Sequence, residues 1–300
     1  KYSIKLASEK NKNSARFNKI TEIIYESNAL SDENQDFIKV KDVQKAIQKK
    51  RIRNSKIEDR MNEMYRDGSY LIDVDGKKVG QINGLAVMQV GESVFGKPSR
   101  ITASSYKGRY GILNIEREVA HSGSIHDKGV LILNGYIGNR YAKEDIPAMT
   151  TSITFEQNYS GIDGDSASST ELYVIISSIA GIPINQGIAV TGSMSQKGEI
   201  QPIGGVNEKI EGYYDVCSIK GLTGKQGVII PIQNVKNLML RDDIIKSVEE
   251  GQFHIYAISN VEEGLQILTG LTIAKIDEKV KAAFKKFSEN CDEKKSEKGE

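Results

Sequence analysis

The segment from Gly161 to Pro183, GIDGDSASSTELYVIISSIAGIP, constrains this chain most. A loop of small residues with two aspartates passes directly into an apolar helical run. Segments with strand character precede and follow it: SRITASSY, GILNIEREV, GVLILNGYIG and TTSITFEQ before, GIAVTGSMSQKGEIQPIGG and GVIIPI after. A helix set among strands makes the fold class α/β (α+β), with mixed sheets and helices. The Asp75–Gly76 pair between apolar runs predicts a hairpin. Residues 1–66 read instead as an all-α unit, with Phe17, Ile20, Ile23, Ile24 and Tyr25 on the inner face of the first clear helix. A second helix is predicted from Ser31 or Asp32, with Ile38, Val40, Val43, Ala46 and Ile47 apolar. A third contains Ile57, Met61, Met64 and Tyr65 and stops at Gly68. The boundaries expected are 1–66, 67–272 and 273–300, the last an amphipathic helix running into a charged, disordered tail.

The balance of charge narrows the function classes. Forty-one Lys and Arg face forty Asp and Glu, a net charge of +1, so no overall field draws in nucleic acid. The basic helices of residues 1–66 lack the interleaved aromatics of a stacking platform, and a nucleic-acid partner is not expected. No apolar run is long enough to cross a bilayer, so no membrane partner is expected. Cys217 and Cys291 lie far apart, which fits a reducing compartment and a cytoplasmic location. The chain begins at Lys1 and is expected to be the C-terminal part of a longer protein.

Several motifs fail. GESVFGKPS, Gly91–Ser99, approaches a phosphate-binding loop, but Pro98 stands where Ser or Thr must supply a hydroxyl to Mg²⁺, and it removes a backbone donor. His121, His126 and His254 form no zinc-binding spacing, and no metal or cofactor is expected in this chain. His126, beside Asp127, is a candidate general base or a plain loop residue.

Ser166 opens the apolar helix. It is either a helix cap or a nucleophile, and a nucleophile needs a base. The segment PIGGVNEKIEGYY offers Lys209. Gly204 and Gly205 permit close backbone approach, and Ile210, Tyr213, Tyr214 and Cys217 bury the helix that follows. The alternative is a solvated Lys209 paired with Glu208 or Glu211. A free lysine near 10.4 is only about 0.1% neutral at pH 7.4. To be half neutral there, it must lose about 4 kcal/mol of preference for the charged form, which burial can supply. Asp163 and Asp165 oppose that loss unless they are held away or engaged by backbone donors. The helix entrance adds N–H groups and a positive dipole end for an oxyanion.

GDSAS (Gly164–Ser168), AVTGS (Ala189–Ser193) and GEIQPIGGVNEK (Gly198–Lys209), in this order, resemble the proteolytic domain of Lon-type ATP-dependent proteases. The resemblance covers about 67–272. It implies a serine endopeptidase that degrades unfolded proteins, with Ser166 as nucleophile, Lys209 as general base and Thr191 placing the lysine. The common pattern around the serine is Gly-Pro-Ser-Ala-Gly; Gly-Asp-Ser-Ala-Ser, with Asp163 and Asp165, is similar to the LonB-like branch. The histidine that the common pattern carries on the strand before the serine is absent from SITFEQ, so its role does not transfer. Residues 1–66 resemble the small lid of an AAA+ module, with Arg16 in the position of a nucleotide-sensing arginine. The resemblance implies ATP and Mg²⁺ on a preceding ATPase part, since this chain has no Walker loops, and a homohexameric ring. A non-catalytic ring-forming scaffold of the same fold is the alternative.

Overall fold

The first hairpin turns at Gly91–Glu92, where Val90 pairs with Ser93 and Gly91 takes φ +59°. Asp75–Gly76 does turn, but the short strand after it pairs with a distant segment, Ile184–Asn185, rather than folding back on its neighbour. The computed structural model describes residues 2–7, 12–32, 36–142 and 148–296.

Helices α1 (Tyr2–Ala7), α2 (Phe17–Ala29), α3 (Val40–Asn54) and α4 (Lys56–Asp67) come first. Strands β1 (Lys77–Lys78), β2 (Gln81–Val90), β3 (Ser93–Lys107) and β4 (Gly111–Asn114) follow, then α5 (Ile115–Glu118), α6 (Ser124–Tyr141) and β5 (Met149–Phe155). After α7 (Ser168–Ala180) run β6 (Ile184–Asn185), β7 (Ile188–Val190), β8 (Ser193–Met194) and β9 (Ile200–Gln201). The chain continues through α8 (Val206–Lys220), β10 (Gln226–Pro231), a 3-10 turn (Ile232–Asn237), α9 (Asp242–Glu249), β11 (Phe253–Ile258), α10 (Val261–Thr269) and α11 (Ile273–Ser296).

A seven-stranded mixed sheet in the order β11-β10-β7-β2-β3-β5-β4 forms the frame. Its residues alternate between two cores, as a two-residue period demands. Ile82, Ile101, Val190 and Ile229 pack with Leu133 of α6, Tyr173 of α7 and Val280 of α11. Leu85, Ala189, Val228 and Ile230 pack on the other face with Tyr65 of α4, Tyr213 of α8 and Ile244 of α9. Each fully buried aliphatic side chain contributes about 1.5–3 kcal/mol. The α/β class with mixed sheets is therefore the observed one.

Several local expectations are corrected. Gly129–Gly138, expected as a strand, lies within α6; its buried set, His126, Gly129, Val130, Leu133, Tyr136 and Ile137, follows a helical period. The strand from Gly111 stops at Asn114, whose side chain accepts the Glu116 N–H at 3.1 Å and caps α5. The helix expected from Ser31 starts at Val40, where Asp42 accepts the Lys39 N–H at 2.9 Å. On α2, Ile23 is buried, but Phe17 and Tyr25 are exposed. The charged C-terminal segment continues α11 as far as Ser296. The loop Arg140–Met149 is a candidate gate by sequence, and its residues 143–147 lie outside those described.

Polar contacts tie the leading helices to the sheet and to α8. Tyr65 donates to the Pro98 carbonyl at 2.5 Å. Asp215, on α8, takes two bonds from Arg241, at 2.8 and 2.5 Å, and lies 3.8 Å from Arg51 of α3.

Candidate active site

Gly96 in β3 sets the depth of α8. A Cβ there would stand 2.1 Å from the Glu208 carbonyl oxygen, and one on Gly212 would stand 2.3 Å from the Gly96 oxygen. Backbone touches backbone, so the helix lies directly on the sheet. Gly205, at φ +66°, opens α8 and gives its carbonyl to the Lys209 N–H at 3.0 Å. This seating carries Lys209 inward until only 3% of it is exposed.

Ser166 precedes the helix that the sequence has it cap. Helix α7 begins at Ser168, with Ala167 at its cap position. The Ser166 carbonyl accepts the Gly192 N–H at 2.8 Å and the Thr191 hydroxyl at 3.2 Å, which fixes the turn against the strand-end Thr191–Gly192. Its own hydroxyl takes a bond from Lys209 Nζ at 2.9 Å, and Nζ also donates to Thr191 Oγ1 at 3.0 Å. Three residues the sequence singled out, Ser166, Thr191 and Lys209, thus meet in one corner.

The charge balance of that corner is readable. Burial pushes the Lys209 amine down to about 8, and the Asp165 charge works in the opposite direction. Asp165 is engaged, although by a side-chain hydroxyl rather than by the backbone donors expected: Ser193 Oγ donates to its Oδ2 at 2.8 Å. Asp163 is exposed and turns away, accepting the N–H of Gly164 at 2.8 Å and that of His126 at 3.4 Å. Sequence reasoning did not pick out Ser193 as the partner of Asp165, although it lies in the AVTGS segment.

A cleft of about 790 Å³ opens beside the pair, bordered by Gly84–Val87 of β2, Phe155, Gly161–Gly164 and Gly204–Gly205. Beyond Gly84, β2 runs past the last pairing with β7 at Val190. Arg16 also borders this cleft, exposed at the start of α2. The near-miss phosphate loop is the Gly91–Glu92 turn and the start of β3, with Gly96, Lys97 and Pro98 opposite Val87, Ala86 and Leu85 of β2. A backbone held in that ladder is no cradle for a nucleotide phosphate. His126 stands apart from Lys209 and is buried under the turn. Among the described residues, no helix is long and apolar enough to cross a membrane.

Residues 51–270 match the model of the Lon protease (S16) C-terminal proteolytic domain, and residues 1–53 that of the archaeal LonB AAA+ ATPase lid domain. A putative Lon protease homolog of Escherichia coli K12 is 42% identical over 227 residues, covering 75% of this chain and 39% of that protein. The archaeal Lon protease of Archaeoglobus fulgidus is 32% identical over 240 residues, covering 78% of this chain and 35% of that one. The chain therefore spans well under half the length of these relatives. With most of its length matched by the proteolytic-domain model and the remainder by the lid, the chain belongs to the Lon protease family.

Proposed function

We propose that this chain is the proteolytic part of an ATP-dependent serine endopeptidase that degrades unfolded proteins, with Ser166 and Lys209 as its dyad. The observation that carries this reading is the 2.9 Å separation of Lys209 Nζ and Ser166 Oγ in a corner where the amine is nearly dry. A neutral Nζ accepts the Ser166 proton as Oγ attacks the peptide carbonyl, and the developing oxyanion needs donors. The N–H groups of Ser168 and Ser169 are already given to Asp165 O and Gly192 O. Those of Ser166 and Ala167 are the neighbouring donors left for the oxyanion. The Lys209 ammonium then protonates the leaving nitrogen, the C–N bond breaks, and an ester on Ser166 remains. Water, losing its proton to Lys209, attacks that ester and frees the second product, restoring the Ser166 hydroxyl.

Thr191 has a placing role. Its hydroxyl hydrogen is committed to the Ser166 carbonyl, so its lone pairs face Nζ. Nζ can therefore donate to Thr191 while its own lone pair points at the serine hydroxyl. The unpaired edge of β2 beyond Gly84 suits an extended, unfolded chain, whose backbone groups can add to a strand. ATP and Mg²⁺ are assigned to a preceding ATPase part. Among the described residues the nearest glycine segment is held in a paired strand, which is no cradle for a triphosphate. A homohexameric ring, working in the cytoplasm, is the assembly proposed for the whole protein.

The test is hydrolysis of a fluorogenic peptide and of a labelled unfolded protein by wild type, Ser166→Ala and Lys209→Ala. Loss in both variants supports the dyad. Equal turnover in all three removes it and leaves a non-catalytic scaffold.

A further inference from the structure

Beneath the serine turn lie buried ionisable groups that the dyad does not use. His126 in the first turn of α6 and Glu171 in the first turn of α7 are each 1% exposed, and His126 Nε2 stands 3.4 Å from Glu171 Oε1. Neither Glu171 oxygen, nor His126 Nε2, has a hydrogen-bond partner among the described residues. Two bare acceptors facing one another in a dry interior repel, whereas one proton between them makes a hydrogen bond.

The pair lies against the turn that presents Ser166. The His126 N–H donates to Asp163 at 3.4 Å, and the Gly164 backbone lies beside its ring and favours the protonated imidazole. A Cβ on Gly129, one turn along α6, would lie 3.5 Å from Asp165 Cα and 3.4 Å from Ser168 Cβ. Phe155, at the cleft wall, meets the imidazole edge to face at 5.6 Å. Glu171 anchors the other side, its N–H given to Ala167 O at 2.9 Å.

We propose that Glu171 and His126 share a single proton and that this pair is the positioning element of the nucleophile turn: the Glu171 carboxyl donates to His126 Nε2, and Nδ1–H of the same ring donates to the Gly164 carbonyl, two residues before Ser166. Burial pushes the Glu171 carboxyl up to about 8, with Glu116 adding to the rise, and burial lowers the His126 imidazole. Both directions favour the neutral acid and the neutral ring. The charged groups that act on the pair are acids on three elements. Glu116 of α5 is held by Thr154 Oγ1 and the Phe155 N–H, Asp127 of α6 by Ser122 Oγ, and Asp163 by the turn itself. A negative neighbourhood keeps the proton in place. Above about pH 8 the proton leaves, and the ring must give its remaining N–H to the carboxylate and release Gly164. Ser166 then loses its fixed presentation to Lys209.

The inference rests on the Ser–Lys reading for its effect on catalysis, so the experiment has two arms. In the first, the full chain hydrolyses a fluorogenic peptide between pH 6.5 and 10 as wild type, Glu171→Gln and Glu171→Leu. Wild type rises with Lys209 deprotonation and falls again at alkaline pH. The side-chain amide introduced by Glu171→Gln donates at every pH, so that variant loses the alkaline fall. Glu171→Leu loses kcat by about tenfold at all pH values, with KM within about twofold, as misorientation of a reacting group predicts. In the second arm, ¹⁵N-histidine NMR of wild type, with His126 assigned through His126→Gln, reads the ring directly. The expected result is a neutral Nδ1–H tautomer through neutral pH, changing tautomer above about pH 8. A His126 that becomes cationic near 6.5 overturns the proposal, as does an alkaline limb unchanged in Glu171→Gln. The NMR arm needs no turnover, so failure of the dyad and failure of the shared proton are separately visible.

Discussion

Replacing Lys209 by methionine should make the protein more stable while ending hydrolysis. The amine falls from its ordinary 10.5 to about 8 because burial penalises its charged form. At about 1.36 kcal/mol per pH unit, holding that charge in the fold costs about 3 kcal/mol. Methionine keeps the length of the side chain and removes the charge. Against the gain stands the Thr191 hydroxyl, 1% exposed, which loses its donor from Nζ at about 1 kcal/mol. The net expectation at pH 7 is about 2 kcal/mol, or about 3 °C in Tm for a chain of this size. The pH dependence fixes the cause. Below about 8 the lysine is charged in both folded and unfolded chains, and the penalty is fully present. Between about 8 and 10.5 the folded state gives up its proton while the unfolded state keeps it, so wild type gains stability with rising pH and the advantage of the variant shrinks. Urea unfolding of both proteins at pH 7 and pH 9.5 measures this. A variant less stable than wild type at pH 7, or a difference that does not change between the two pH values, would refute the buried-amine argument.

Other outcomes follow from the same corner. In Glu171→Gln, which lacks the alkaline fall, peptide hydrolysis should rise through about pH 8 as Lys209 loses its proton, and a rate flat from 6.5 to 9 in that variant would exclude a lysine base. Thr191→Val should lower kcat about tenfold or more, with Thr191→Ser retaining most of the rate; equal rates for Val and Ser would remove the placing role. In Gly96→Ala the new methyl would start 2.1 Å from Glu208 O, so α8 must retreat by about 1 Å, a misplacement that can cost about a hundredfold in rate. A folded Gly96→Ala at wild-type activity would show that the seating of α8 does not fix the lysine.

The sequence made the serine and lysine legible because each sits in a local pattern, glycines and small residues opening a helix, that survives without coordinates. Thr191 came only with the resemblance. What stayed hidden depends on pairs far apart in the chain. Nothing around Gly96 says that its missing side chain makes room for the Glu208 carbonyl; locally it reads as a failed phosphate loop. Glu171 looks like an ordinary first-turn acid, and His126 like a loop base, until the topology stacks α6 under α7. Among the secondary elements, Gly129–Gly138 misled because Val130–Leu133 and Ile137 are as suitable for a strand as for a helix, and only their contact with the sheet through one face decides. The tail after Phe287 reads as disordered from its charge, yet α11 continues in it as far as Ser296.

Asp215 lies six residues beyond Lys209, about 9 Å up the same helix, and shares its carboxylate between Arg241 and the neighbourhood of Arg51. The rod that delivers the amine is thereby handled from its far end by the leading helices. Trimming the chain back to residue 56 would take Arg51 away and leave Asp215 to Arg241, with α4 still seated on α8.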